Sequence, residues 1–298
     1  MKFEFLKYRK IYYSFSVIFI LISFLMIVFW RINPGIEFVG GSVIEVEYEE
    51  ERPPIEDIEE KLSDIDLKDV NIQFLGDNGV IIRTETADES THRDILNALD
   101  SADEKYFESI GPAVGEELKR ASIIAIIIAS LLVIIYIAIS FREDDGSINS
   151  WKYGTVAASV AFLHDILIVL GIFSLLGYLY GVQLTIPIAV ALLTTLGYSI
   201  NDTVVIFDRI RENLRNNRSG RDSLEIIINN SLNQTLSRSL GTSITTLLVL
   251  FSLLFLVGGT LYYFVLALIL GVILGTYSSI FLAGCLIFDW NNLTRKKK

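Results

Sequence analysis

Residues 197–213 read GYSINDTVVIFDRIREN, and the fold turns on how this stretch is read. Asp202 lies inside it, downstream of the apolar run from Leu184 through Ala191 to Leu196. Charge becomes frequent only from Asp208-Arg209 onward. A span needs about 20 predominantly apolar residues, which this segment supplies. An ionised carboxylate in hydrocarbon needs a counter-charge, a water-filled cavity or a proton. The stretch therefore predicts a membrane protein whose fourth span carries an ion or proton site. A structural ion pair is the alternative.

Working outward, apolar residues make up 52% of the 298-residue chain and gather into six runs of spanning length. These fall near 14–30, 120–141, 153–177, 184–207, 239–257 and 261–288. The first follows Lys7, Arg9 and Lys10 but is too long for the apolar part of a signal peptide. Trp30-Arg31-Ile32-Asn33-Pro34 also offers no small-residue cleavage site, so the run reads as a retained anchor. Lys and Arg crowd the N-terminus, the 142–152 loop, the stretch from Arg209 to Arg221 and the tail from Arg295, while the short connections near Gly181 and Gly258 carry none. Six spans put every basic segment on one side, which the positive-inside rule makes the cytoplasm.

The expected division follows: 1–30 as cytoplasmic N-terminus and first span, 31–119 outside, 120–290 as a five-helix bundle, and 291–298 as a basic cytoplasmic tail. The setting is a plasma (inner) membrane, with lipid around the bundle. The formal charge of −10 belongs mainly to the external segment and gives no footprint for nucleic acid.

Within 31–119 the pattern changes. Ser42–Tyr48 alternates as a strand, and Pro53-Pro54 opens a helix from Ile55 to Leu62. Val70–Phe74 and Val80–Thr84 flank the turn Gly76-Asp77-Asn78-Gly79. Asp88–Leu99 reads as a helix and Lys105–Ile110 as a last strand. The order βαββαβ is the split-βαβ, ferredoxin-like arrangement, so the fold class is an α-helical polytopic membrane protein with a small external α+β domain between helices 1 and 2. No nucleophile constellation or metal-ligand set stands out, and Gly76–Gly79 lacks the Gly-Lys-Ser/Thr ending of a nucleotide-binding loop. Neither an enzyme nor a cofactor is expected. Cys285, alone in an apolar run, reads as a small buried hydrophobe.

Three spans carry polar groups. His164-Asp165 sits near the centre of the third. Adjacent residues on a regular helix point about 100° apart, so these two are not expected to face each other. In the fourth, Tyr198, Asn201, Asp202, Val205 and Asp208 recur at helical spacing. At the start of the fifth, Gln234, Arg238, Thr242 and Thr245 do the same. Such stripes must face other helices or water. Because successive spans run antiparallel, Asp202 and Arg238 occupy the same third of the bilayer, and an Asp–Arg pair is geometrically reasonable. Snorkelling of Arg238 to the interface is the other reading. Gly271 and Gly275 form a GxxxG packing signal, and Pro187 kinks or begins the fourth span.

These pieces resemble the SecF family of protein-export membrane subunits, which works with SecD and belongs to the resistance-nodulation-division superfamily. The resemblance rests first on GYSINDTVVIFDRIREN. Gly35-Ile-Glu-Phe-Val-Gly-Gly41 is similar to the family's G-I-D-F-x-G-G through Gly35, Phe38, Gly40 and Gly41, with Glu37 in the usual place of Asp. Ile110–Leu118 resembles the family's start of the second span, His164-Asp165 its H-D, and Leu236–Thr246 its R-S-x-x-T-S-x-T-T.

The resemblance implies ion-coupled help in drawing secreted polypeptide from the SecYEG translocon, with a SecD-like six-span subunit as partner. It places Asp202 on the family's coupling acid and Arg238 on its functional arginine. Asp165, His164 and Asn201 stand near them as further ion-coupling candidates, and Asp208, Arg209 and Thr242 belong to the motif. Half of a small-molecule or lipid exporter is the competing function, and a non-transporting scaffold the third. About 80 external residues leave little room for a drug pocket.

Overall fold

The computed structural model describes residues 3–68, 70–85, 88–99, 102–140, 148, 150–217 and 221–295. Arg142, Arg218 and Lys296–Lys298, used in the orientation argument, lie outside the described residues. Five helices among the described residues are long and apolar enough to cross a membrane: Phe5–Trp30, Pro112–Ile137, Ile186–Asn216, Leu224–Leu254 and Leu261–Leu293. A shorter apolar helix, His164–Tyr180, joins them.

In chain order the elements are α1 (Arg9–Trp30), a four-residue α2 (Ile36–Val39), β1 (Gly41–Tyr48), α3 (Ile55–Leu62), β2 (Asn71–Leu75), β3 (Gly79–Thr84), α4 (Glu89–Ala98) and β4 (Ala102–Ile110). The helical part follows with α5 (Pro112–Ser140), α6 (Ser150–Ser159), α7 (Leu167–Tyr180), α8 (Ile186–Asn216), α9 (Leu224–Leu254), α10 (Gly259–Ser278) and α11 (Gly284–Arg295). Two π-helical segments, Val160–Ile166 and Ser279–Ala283, join α6 to α7 and α10 to α11 without a break.

The helices outrun the apolar stretches that announce them. α5 starts at Pro112 and α9 at Leu224, well before the apolar runs at 120 and 239. Hydropathy marks what lipid requires, whereas a helix continues as long as its residues are good formers and nothing breaks the backbone ladder. The 31 residues of α8 and of α9 reach about 46 Å, so each projects beyond a hydrocarbon core of about 30 Å. Pro187 begins a helix and does not kink one, standing at the second position of α8, where no intrahelical donor is lost.

The strands form one antiparallel sheet of order β2-β3-β1-β4, with Ile44 opposite Ile82 and Phe107 on either side. The alternation read in the sequence gives the sheet two faces. Ile44, Val46, Val80 and Ile82 meet Ile58 and Leu62 of α3 and Ile95 and Leu99 at α4 in one apolar core. Asp88 caps α4 by accepting from Thr91 N at 2.8 Å, and that bond holds its carboxyl down to about 2. The opposite face carries Glu45, Arg83 and Glu108, and lies over the ends of the helices.

In the bundle, α8 and α10 form the central pair. Their close approach needs glycine: a Cβ on Gly271 would stand 2.3 Å from Thr195 Cγ2, and one on Gly275 2.8 Å from Ser199 Cβ. The GxxxG signal is therefore a real seam here. Cys285 is fully buried in the adjoining core.

Candidate ion-coupling site

Among the described residues of this bundle two acids are buried. Asp165, on the π-helical segment between α6 and α7, is 3% exposed. Its Oδ2 accepts from Ser199 Oγ of α8 at 2.5 Å and from Ser278 Oγ of α10 at 3.0 Å. His164 Nδ1 lies 2.8 Å from Oδ1, so a proton on that nitrogen is donated to the carboxylate. The expectation that neighbouring His164 and Asp165 face apart does not hold. It assumed a regular α-helix, and the widened π turn changes the angle between successive residues. The imidazole also stacks on Tyr277, with ring centroids 5.7 Å apart, and Tyr277 Oη donates to Tyr12 O of α1.

The second π segment lies against this cluster. Ser279 Oγ donates to Ser199 O at 3.0 Å and pairs with Thr203 Oγ1 at 2.8 Å. Serines and threonines thus tie three helices around Asp165, each on the side of its helix that the close α8–α10 packing makes available.

Asp202 follows Ser199 by one helical turn and is 4% exposed. Its surroundings differ: Oδ2 is buried with no hydrogen-bond partner among the described residues. Arg238 of α9 is the cation whose field reaches it. Among the described residues the two do not close an ion pair within 4.0 Å, whereas Arg209 does pair with Glu212 at 2.8 Å. Arg238 is exposed on the outer side of α9 together with Gln234, Thr242 and Thr245. On α8, Asn201 and Asp208 are also exposed, so the stripe read from the sequence divides, with Asp202 turned inward and its neighbours outward. An open cleft of about 360 Å³ separates the helices, with Val205, Asp208, Arg209, Gln234 and Arg238 among its walls.

The glycine motif after α1 makes its own site. Gly40 and Gly41 have φ of +83° and +133°, and a Cβ on Gly40 would meet Pro112 Cα at 2.8 Å. Gly115 approaches Gly40 N as closely, so the two motifs interlock where the sheet meets α5. Gly35 N donates to Leu184 O at 2.8 Å, and Leu184 N to Asn33 O at 2.7 Å. Glu37 is 8% exposed, and its Oε1 accepts from Ile186 N, the first residue of α8, at 3.3 Å. Phe38 beside it is half-buried. Burial pushes the carboxyls of Glu37 and Glu45 up and the Arg83 guanidinium down to about 10.

Sequence reading missed Ser199 and Ser278 as partners of an acid. It also missed Glu45 and Arg83, whose only signal was a charge at alternate positions of a strand.

The geometry defines a polytopic membrane protein with a small α+β domain and acids buried among its helices. A family profile described as "Protein export membrane protein SecD/SecF, C-terminal" matches residues 91–293, and one described as "SecD/SecF GG Motif" matches residues 30–51. The chain belongs to the SecD/SecF family of protein-export membrane proteins.

Among its relatives, the protein translocase subunit SecF of Thermobaculum terrenum is 36% identical over 97% of this chain and 94% of its own. That of Desulfurispirillum indicum is 38% identical over 96% and 91%. The crystal structure of SecDF, a translocon-associated membrane protein from Thermus thermophilus, matches with TM-score 0.86 and 32% identity. That match covers 98% of this chain and 39% of the solved one, so the chain spans about two-fifths of SecDF. SecDF in its super-membrane-facing form matches with TM-score 0.69 and 30% identity, over 100% of this chain and 40% of that one.

Proposed function

We propose that this protein is a SecF-like subunit that, with a SecD-like six-span partner, couples a proton or sodium gradient to late steps of Sec-dependent translocation across the plasma membrane. One observation carries the reading. Asp202 keeps a buried oxygen with no partner among the described residues, next to an exposed polar face that carries Asn201 and Asp208 of α8 and Gln234, Arg238 and Thr242 of α9 on either side of the open cleft. Lipid cannot satisfy such a face, so it must meet another protein or water. A second membrane subunit of matching polarity is the economical occupant.

Six spans, with Ser150–Tyr180 as the third, place both basic ends of the chain in the cytoplasm and the 31–119 segment outside. The sheet order and the βαββαβ succession support a ferredoxin-like external domain.

On this reading, an ion arriving from outside neutralises Asp202 and cancels its attraction to Arg238, and α8 shifts against α9. His164 and Asp165 brace α8 through Ser199, and Thr242 lies one turn beyond Arg238. The external domain passes the motion to the translocating polypeptide beside SecYEG. One charge crossing 100 mV provides about 2.3 kcal/mol, enough to shift a balanced population but not to drive a large change alone. A small-molecule exporter half is disfavoured, because the external domain is one four-stranded sheet with two helices.

The test is Asp202→Asn in membranes containing the partner subunit. Gradient-dependent stimulation of export should be abolished while assembly stays normal. Arg238→Lys, which keeps the charge whose field reaches Asp202, should stay close to wild type, whereas Arg238→Gln, which removes it, should fall well below. An Asn variant that assembles and still responds to the gradient would overturn the reading.

A further inference from the structure

The external domain and the Asp202 helix are joined by a side chain that the ion-coupling reading leaves unused. Glu37 lies in the short helix between α1 and the sheet, and its Oε1 accepts from Ile186 N at the start of α8. α8 has few other ways to satisfy that end. Thr185, its N-cap residue, makes no side-chain capping bond, and Pro187 has no N–H to offer. The macrodipole adds a partial positive charge there, which favours an anion over any neutral acceptor.

The contact is enclosed. A Cβ on Gly35 would stand 2.3 Å from Glu37 Oε2, and the bridge between Pro34 and Leu184 holds the two backbones together. Beyond Glu37 the chain passes directly through Gly40 and Gly41 into the central strand β1. From α8 to the sheet there is thus one short covalent path, closed by the Glu37–Ile186 bond and by the two backbone bonds between Asn33-Pro34-Gly35 and Leu184; of these, only the first ends on a side chain and on α8 itself.

We propose that Glu37 is a positioning residue for the coupled motion, its carboxylate tying the segment after α1 to the N-terminus of α8 so that displacement of the Asp202 helix is delivered to the external sheet. The role rests on the ion-coupled reading above and adds the route by which it reaches the outside. The charged and titratable groups facing Glu37 come from the sheet: Glu108 and Tyr106 of β4 and Arg83 of β3, with Tyr263 of α10 facing Arg83 in turn. Burial is the main influence on Glu37, Glu108 adds to it, and Arg83 opposes it. A carboxylate held there against desolvation makes a joint that can open, unlike an apolar seam.

The experiment uses the full chain with its SecD-like partner and the translocon in proteoliposomes, measuring ion flux and gradient-driven export on the same vesicles. Glu37→Gln keeps the shape and removes the charge. Ile186→Pro removes the donor from the other side, at a helix position that tolerates proline. Each should lower export stimulation about fivefold with flux unchanged, and the double variant should be no worse than either single one. Glu37→Asp, one methylene shorter, should fall between.

Wild-type stimulation in the Gln variant overturns the proposal. So do losses that multiply in the double variant, or flux that falls in step with export. If Glu37→Gln fails to assemble, Ile186→Pro and Glu37→Asp decide by the same readings. Asp202→Asn runs alongside: full stimulation there sinks the coupling reading and this role with it. Full stimulation in Glu37→Gln beside an inactive Asp202→Asn sinks the Glu37 role alone.

Discussion

Asp165 and Asp202 are acids of equal burial in one bundle, and Ser199, which donates to the first, precedes the second by one turn of α8. Their surroundings are opposite. Asp165 is met by Ser199, Ser278 and His164. Asp202 keeps Oδ2 with no donor, and Arg238 acts on it only through its field. A carboxylate with its lone pairs served is part of the scaffold, because moving it breaks several bonds at once. One left underserved gains by taking a proton, an ion or a nearer cation. If Asp202 is the coupling acid, as proposed, what sets it apart from Asp165 is not its burial but the lack of a donor to Oδ2 among the described residues.

The largest effect that would test this contrast comes from Asp165→Asn. The amide keeps one acceptor but puts an NH₂ where a hydroxyl or imidazole now donates, so at least one buried donor is left unpaired. A loss of about 2–3 kcal/mol is expected. In detergent the complex should melt several degrees lower, and less of it should assemble. Asp202→Asn should leave melting and assembly close to wild type, since there is no bond at Oδ2 to lose. A reversal, with Asp202→Asn unstable and Asp165→Asn stable but uncoupled, would exchange the two roles.

Much of this architecture was legible in the sequence. Among the described residues, five of the six apolar runs coincide with helices long and apolar enough to span, the third giving the shorter His164–Tyr180, and the period-two alternation of Ser42–Tyr48 separates the core face of β1 from its polar face. The antiparallel succession of spans put Asp202 and Arg238 in one third of the bilayer, but the pair expected from it does not close among the described residues, where Arg238 stands exposed. What could not be read has a physical cause in each case. The π turns at Val160–Ile166 and Ser279–Ala283 lie in apolar stretches whose pattern reads as regular helix, so the His164–Asp165 contact was invisible. Ser199 and Ser278 resemble any small residues at a helix seam, and only packing makes them donors. The tie from Glu37 to Ile186 spans 149 residues and ends on a backbone N–H, which carries no side-chain signature.

A smaller effect would blur the difference between the two acids. Gly275 packs on Ser199, with a Cβ there standing 2.8 Å from Ser199 Cβ and 3.2 Å from its Cα. Neither atom is the end of a flexible chain, so Gly275→Ala must push α10 from α8. The expected loss is about 1–2 kcal/mol of stability, with the Ser199–Asp165 bond lengthened. Asp165 would then have a weaker bond from Ser199 and rely more on Ser278 and His164. Deuterium exchange of α8 amides near Ser199 should rise in this variant. Unchanged exchange and melting would mean that the helices have slack at this seam and that the glycine is not required.

The smallest effect separates the three donors to Asp165. Ser278→Ala removes one hydroxyl and leaves Ser199 on the same oxygen and His164 on the other. Hydrogen bonds between membrane helices average about 0.6 kcal/mol and reach about 1.7, because the separated helices also find partners. The alanine should therefore lower stability by roughly that range, less than either change above, and should leave gradient-driven export intact. Adding Ser199→Ala should cost more than the sum of the two single changes, since Oδ2 then has no donor and becomes as bare as that of Asp202. Additive losses would mean that the two serines act separately and that Asp165 is held by His164 alone. A loss of export at the single Ser278→Ala step, with melting unchanged, would place Asp165 among the coupling acids and remove the contrast between the two sites.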